Sequence, residues 1–304
     1  MTGNRNGLGY GISAYLLWGL FPLYWPLLKP ANALEILAQR MVWSLLLLGV
    51  VLAVTRGFGT LRLLMADRSK MARLTLAAVL VSINWGVYIW SVNNGHVIEG
   101  SLGYFINPLI TIMLGVLVLK ERLSRAQWIA VGVATVAIVV LSVDYGRLPW
   151  IALTLALSFG GYGFLKKQVN AGAVETLAVE TGVMAGPALV TLVVLAEQSR
   201  LAFGHAGTSN ALLLAGTGVV TALPLLLFGA AARRLPLTSI GLLQYLAPVL
   251  QFAVGVGIRH EPMPPARLLG FTLVWIALVI LTADALTRRH RAASMARSAE
   301  AVAA

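Results

Sequence analysis

Two charged side chains, Arg40 and Glu180, lie inside otherwise apolar stretches of this 304-residue chain. An ionised group held within hydrocarbon is costly, so such residues face protein or a water-filled path and mark binding, coupling or gating sites. Each stands five or six residues into its stretch, roughly 7–9 Å along a helix. If the two stretches enter a hydrocarbon core of ~30 Å from opposite sides, the charges stay roughly 15 Å apart in depth. A direct ion pair is therefore not expected. Arg40 reads as an outer-half charge and Glu180 as an inner-half charge, each able to meet substrate or a gate partner in one access state. The alternative is that each snorkels toward its nearer interface. Glu35 and Glu175 stand at the starts of the same stretches, where an interfacial position is expected.

Polar and aromatic residues recur beside these charges at helical spacing. Tyr104, Pro108 and Thr111 fall at i, i+4 and i+7, one face of a helix. Gln244, Pro248 and Gln251 repeat that spacing, as do Asn84, Tyr88 and Ser91. Asn107, Trp85 and Trp90 adjoin these stripes, and Tyr15 and Trp18 lie in the first apolar run. The chemistry available is hydrogen bonding and aromatic contact with a solute in a central cavity. The alternative is interhelical hydrogen bonding, worth about 0.6–2 kcal/mol in membranes. Three stripes favour the cavity. Pro108 and Pro248 each remove a backbone donor and can kink a helix.

Enzyme chemistry finds little support. His96, His205, His260 and His290 fall in loops without ligand spacing, and the chain has no cysteine. No phosphate-binding loop, nucleophile elbow or intramembrane carboxylate dyad is present. No metal and no cofactor is expected.

The elements that must position these residues follow from composition. The chain is 59% hydrophobic and 11% charged, with mean hydropathy +0.84. Soluble domains carry about 25% charged residues. Spans of ~20 apolar residues are required to cross a bilayer. Ten segments qualify or nearly so: 8–28, 34–55, 74–92, 101–119, 126–143, 148–165, 174–196, 210–232, 237–258 and 268–283. No small-residue cleavage pattern follows the first run, which reads as a retained helix rather than a signal peptide. The net charge of +12 sits in short loops. With the N-terminus inside, 17 Lys and Arg lie on the cytoplasmic side and 5 outside. That asymmetry is a topology signal, with no nucleic acid implied.

The chain also matches itself at an offset of 140 residues. Residues 31–38 fall on 171–178, and Pro108, Gly115 and Glu121 fall on Pro248, Gly255 and Glu261. Phe105 falls on Tyr245, Tyr88 on Phe228 and Arg40 on Glu180. Five spans per copy is an odd number, so the second copy must enter from the opposite side, as in many secondary transporters. The expected fold is an all-α polytopic membrane protein of ten transmembrane helices, arranged as two inverted five-helix repeats. The first repeat covers 1–143 and the second 144–286, followed by a basic, disordered cytoplasmic tail at 287–304.

Several segments then carry a family resemblance: Ala14–Gly19, Glu35–Arg40, Asn84-Trp85, Ser101–Leu109, Glu121-Arg122, Gln127-Trp128 and Gln244–Pro248. Together they resemble the RarD branch of the EamA-type transporters, in the drug/metabolite transporter superfamily. The resemblance covers essentially the full length and is most specific at Ser101–Leu109. It implies a ten-helix secondary carrier whose two repeats line a central cavity. The chain departs from the family at Gln39, where His is frequent.

The sequence thus points to a secondary transporter of a small organic solute, a metabolite or drug, working by alternating access in the inner membrane with both termini cytoplasmic. The partners expected are a small-molecule substrate and membrane lipid, and a homodimer is compatible with the reading. The cavity residues are Tyr15, Trp18, Asn84, Trp85, Tyr88, Tyr104, Asn107, Gln244 and Gln251, with Arg40 and Glu180 as gating or coupling charges. The alternative function is a non-transporting membrane scaffold or sensor.

Overall fold

Long apolar runs with few breakers favour helices, and helices are the regular elements that a computed structural model of the chain contains. It describes residues 2–120, 123–169, 171–232, 234–235 and 237–303, with no strand among them. Glu121, Arg122 and Arg233, used in the repeat and charge readings, lie outside the described residues. Seven of the described helices are long and apolar enough to cross a membrane, or eight if one bent pair counts as a span. The chain is a polytopic helical membrane protein.

The helices form two compact units, residues 1–107 with 151–262 and residues 108–150 with 263–304. Each unit holds helices from both halves of the sequence. The first contains α1 (Thr2–Gly19), α2 (Phe21–Tyr24), a 3-10 turn (Trp25–Leu28) and α3 (Ala33–Thr55). It continues with α4 (Phe58–Ala66), α5 (Arg68–Asn93) and the first part of α6 (Val97–Leu119). The second contains the rest of α6 and α7 (Arg125–Tyr145). The chain then returns to the first unit with α8 (Trp150–Val169), α9 (Ala173–Glu197), α10 (Thr208–Ala232), α11 (Leu237–Leu243) and α12 (Leu246–Gly257). It ends in the second with α13 (Pro265–Ala303).

Two of the expected spans differ from single straight helices, and a third is not among the seven. The first bends by 41° between Asn6–Gly19 and Phe21–Leu28. Pro22 and Pro26 sit at the starts of α2 and the 3-10 turn. Proline is accepted there because its missing donor is unpaired in any case. The ninth span is two helices, broken at Gln244 and Tyr245. Pro248 therefore lies in the first turn of α12 and kinks no helix, whereas Pro108 lies inside α6. The sixth, α8, ends in Lys166 and Lys167 and is not among the seven. Pro187 and Pro224 also lie inside helices, α9 and α10. The short helix α4 falls where the sequence reading has a loop. Helix α13 runs on through Ala303, where that reading has a disordered tail; the segment is rich in Ala, the strongest helix former.

Local signals set the helix starts. The Asn32 side chain accepts the Glu35 amide at 3.0 Å to open α3, and Asp67 accepts the Lys70 amide at 3.0 Å to open α5. Ser124 and Gln127 form a reciprocal capping box at α7.

In the first unit, α3 packs against both α9 and α10. Ala38 and Met41 share one buried cluster with Ala188, while Leu48 and Leu52 share another with Leu177 and Ala178. Numbers rise along α3 as they fall along α9, so the two helices run antiparallel. Gly218 lets α10 approach closely: a Cβ there would come within 2.7 Å of the Trp43 carbonyl. Gly103 plays the same part between α6 and α8, where a Cβ would meet the Ala152 carbonyl at 2.7 Å.

In the second unit, α7 packs along α13 around Ala130, Ala134, Ala277 and Leu281. A Cβ on Gly270 would collide with the Leu141 side chain. Arg267, read from sequence as an outer-loop charge, pairs its Nε with Asp144 Oδ2 at 2.8 Å.

Candidate functional site

Arg40 lies on the face of α3 turned toward α10, and is 2% exposed. Its Nε donates to Thr221 Oγ1 at 2.6 Å, and the Thr221 hydroxyl in turn donates to the Thr217 carbonyl at 2.7 Å. The close approach at Gly218, one turn earlier, is what brings Thr221 within reach. The guanidinium carbon lies 3.7 Å from the centre of the Trp85 ring, 5.3 Å from that of Trp25 and 5.7 Å from that of Phe21. Such cation–π contacts are worth more when desolvated, as here. Trp25 and Phe21 come from the broken part of the first span, so the proline-bracketed bend supplies one wall of the Arg40 cage. Arg40 is buried in protein.

From Arg40 a row of buried and half-buried groups leads toward Glu180. Tyr88 and Tyr104 are close enough to interact electrostatically with the guanidinium. Their rings meet edge to face at 5.4 Å. Tyr104 also donates to Asn84 Oδ1 at 3.0 Å, and Asn84 Nδ2 donates to the Leu155 carbonyl at 3.0 Å and to Ser158 Oγ at 3.1 Å. The Tyr104 ring packs on Phe159 at 5.8 Å, and Phe159 on Tyr162 at 5.9 Å. Tyr162 donates its hydroxyl to Glu180 Oε2 at 3.2 Å.

Glu180 is 1% exposed. Its Oε1 accepts from Lys166 Nζ at 2.8 Å, and the same ammonium donates to Thr176 Oγ1 at 2.6 Å. Lys166, read from sequence as a cytoplasmic loop charge, thus belongs to α8 and neutralises a buried carboxylate. Ala188, level with Arg40, is eight residues beyond Glu180 in α9. At 1.5 Å per residue the two charges stand about 12 Å apart along the helix axes.

A second aromatic group gathers Tyr15 and Trp18 of α1 with Phe228 of α10, at ring separations of 5.2 to 6.1 Å. Gln251 Nε2 donates to the Trp18 carbonyl at 3.1 Å. Gln251 Oε1 is buried without a partner among the described residues. Gln244 lies half-buried in the break before α12, and Asn107 is half-buried in α6. Ser91 bonds the Tyr88 carbonyl of its own helix at 2.8 Å, and Thr111 is exposed. Sequence spacing did not single out Phe21, Trp25, Phe159, Tyr162, Lys166 or Thr221. Three of its patterns point at them: Phe21 with Trp25, Tyr162 with Lys166, and Thr217 with Thr221 are i, i+4 pairs.

Glu35, expected at an interface, is fully buried. Its carboxylate accepts the Ala202 amide at 3.0 Å and the Phe203 amide at 2.8 Å. Glu261 does the same for the Val97 and Ile98 amides at the start of α6, at 2.6 and 2.9 Å. These carboxylates fasten loops and helix starts. A groove of about 480 Å³ lies at the start of α3 and the end of α9, lined by Leu34, Trp90, Val190 and Val194 among others. None of the candidate site residues lines it.

The comparisons with known proteins agree with this architecture. Residues 5–143 match the EamA-like transporter family. The chain is 58% identical over 290 residues to Protein RarD of Streptomyces exfoliatus, covering 95% of this chain and 92% of that protein. It is 42% identical over 281 residues to an uncharacterized transporter of Pseudomonas aeruginosa, covering 92% and 94%. A solved crystal structure shares the fold with a TM-score of 0.57 at 17% identity, over 91% of this chain and 97% of that one. Identity at this level over nearly the whole length shows that the chain belongs to the EamA-like transporter family, as a RarD-type member.

Proposed function

We propose that this chain is a secondary transporter that moves a small organic solute across the cell inner membrane by alternating access. Its spans are read as ten, in two inverted five-helix repeats with both termini cytoplasmic. The observation that carries the reading is the row of buried and half-buried groups from Arg40 past Tyr88, Tyr104, Phe159 and Tyr162 to Glu180. It joins two charges at different depths, each a place where a solute or a gate partner can exchange for a protein contact. The antiparallel run of α3 and α9, the repeat-equivalent helices that hold these charges, supports opposite entry of the two copies. In each copy the charge packs against the preceding span, one residue apart in the 140-residue register: Arg40 near Phe21 and Trp25, Glu180 near Tyr162 and Lys166.

The solute and the surrounding lipid are the partners this reading requires, and the absence of a nucleotide-binding motif makes a gradient or exchange the driving force. Glu180 is the candidate for proton coupling. Gradient-driven uptake is expected of wild-type protein in proteoliposomes and is expected to be lost in both Glu180→Gln and Arg40→Ala, with membrane insertion unchanged. Wild-type rates in both variants would sink the assignment of the two charges. Absence of uptake by the wild type across a broad solute panel would favour the scaffold or sensor.

A further inference from the structure

We infer that the Arg40 cage is the recognition site for the carboxylate of a monoanionic solute with an apolar body. This deepens the transport reading and rests on it for its physiological meaning.

Among the described residues no carboxylate lies within ion-pairing distance of Arg40, and Nε to Thr221 is its only hydrogen bond. A desolvated cation without a counter-charge is strongly disfavoured, and the usual remedy is a paired, hydrogen-bonded anion. The protein supplies that remedy at the other end of the row, where Lys166 meets Glu180 at 2.8 Å. It supplies none at Arg40.

The free part of Arg40 has a defined shape. With its central carbon 3.7 Å from the middle of the Trp85 ring, the flat group must lie on the ring, because an N–H directed at the ring would need more room. The donors then point outward in the guanidinium plane. Thr221 takes Nε, leaving the terminal pair of nitrogens, the fork that binds a carboxylate through two parallel hydrogen bonds. Two further buried donors lack a partner among the described residues: Nε1 of Trp25, a ring of the Arg40 cage, and the hydroxyl of Tyr88, which shares a buried cluster with Trp25. A carboxylate offers about four acceptor positions, enough for the fork and for either neighbour.

Charge count selects the class. One unpaired guanidinium balances one negative charge. A dianionic phosphate would exceed it, and an amine would be repelled. The surrounding Phe21, Trp25 and Trp85 present rings, so the remainder of the solute is apolar.

The test uses purified full-length protein in detergent and single-ring probes at millimolar concentration: benzoate, phenylacetate, neutral benzamide, cationic benzylamine and phenyl phosphate. The two carboxylates are expected to raise the melting temperature of wild type by mass action, and the amide, amine and phosphate are not. Arg40→Met is expected to lose the carboxylate response. Arg40→Lys, which keeps the charge and loses the fork, is expected to weaken binding about tenfold, and it decides the question if Arg40→Met does not fold. A wild-type protein indifferent to both carboxylates overturns the inference, and so does a carboxylate response unchanged in the Arg40 variants. The transport reading fails or survives separately: Arg40-dependent binding without uptake keeps the site and removes the carrier. Arg40-independent uptake of a neutral or cationic solute keeps the carrier and removes the site.

Discussion

Lys166 reaches from α8 to Glu180 in α9 with Nζ 2.8 Å from Oε1, and this pair neutralises a carboxylate that is only 1% exposed. The ammonium side is 23% exposed, so the pair has one wet and one dry member. That asymmetry makes the two single variants unequal.

Lys166→Met leaves the buried carboxylate without its cation. Breaking a buried pair costs about 3–5 kcal/mol, and the exposure of Lys166 places this case toward or below the lower end of that range. Glu180→Gln leaves a half-wet ammonium and is expected to cost less. The double variant is expected to recover part of the loss, with a coupling of about 0.5–3 kcal/mol in a double-mutant cycle of unfolding in detergent. Additive costs would mean that the pair is not formed.

Glu35→Gln replaces a carboxylate that accepts amides from Ala202 and Phe203. Hydrogen bonds to a charged group contribute about 1.5–3 kcal/mol. The loop after α9 is expected to open locally, so hydrogen exchange at the 202–203 amides should accelerate while the interior of α3 stays protected. Unchanged exchange there would remove the fastening role.

Gly218→Val should separate α10 from α3, since the first side-chain carbon already meets the Trp43 backbone at 2.7 Å. Overpacking of this kind typically costs about 1–3 kcal/mol. Because Thr221 is carried by the same helix, Arg40 should lose its Nε partner. A lower melting temperature together with weaker carboxylate binding is expected; normal binding would show that Thr221 does not orient the guanidinium.

Asp67 provides a pH dependence outside the spans. The Lys70 amide, which its side chain accepts, holds its carboxyl below the ordinary value of 3.8, and the Lys70 charge assists. The folded-state pKa is depressed, so the contribution is present above 3.8 and is lost as pH falls through the lowered value. Protection of the Lys70 amide from exchange should therefore exceed that of Asp67→Ala at neutral pH, and the two should converge in acid. A difference that persists in acid would contradict the capping role.

Individual residues show what was legible in the sequence and what was not. Arg40 and Glu180 stood out because a charge inside an apolar run is costly wherever the run ends up. An odd number of spans per copy predicted roughly 15 Å between them in depth; along the axes of antiparallel α3 and α9 they stand about 12 Å apart. Tyr88, Tyr104 and Asn84 were found by helical spacing and do sit in the row. The position of Gln244 in a break of the ninth span was not legible, because spacing assumes an unbroken helix. Trp25 and Phe21 were missed because Pro22 and Pro26 turn the chain, and the resulting direction is set by what it packs against.

By itself the sequence determined that this chain lives in a membrane, that it is helical, and that Arg40 and Glu180 stand inside its apolar runs. Those properties depend on composition and on local periodicity, which need no knowledge of neighbours. Only the tertiary structure decided the partners. Lys166 became the mate of Glu180 and not a loop charge, and Arg40 received rings and a threonine in place of a carboxylate. Pairing is settled by which helix faces meet, and close approaches such as Gly218 on Trp43 and Gly103 on Ala152 fix those faces across more than 40 residues of chain.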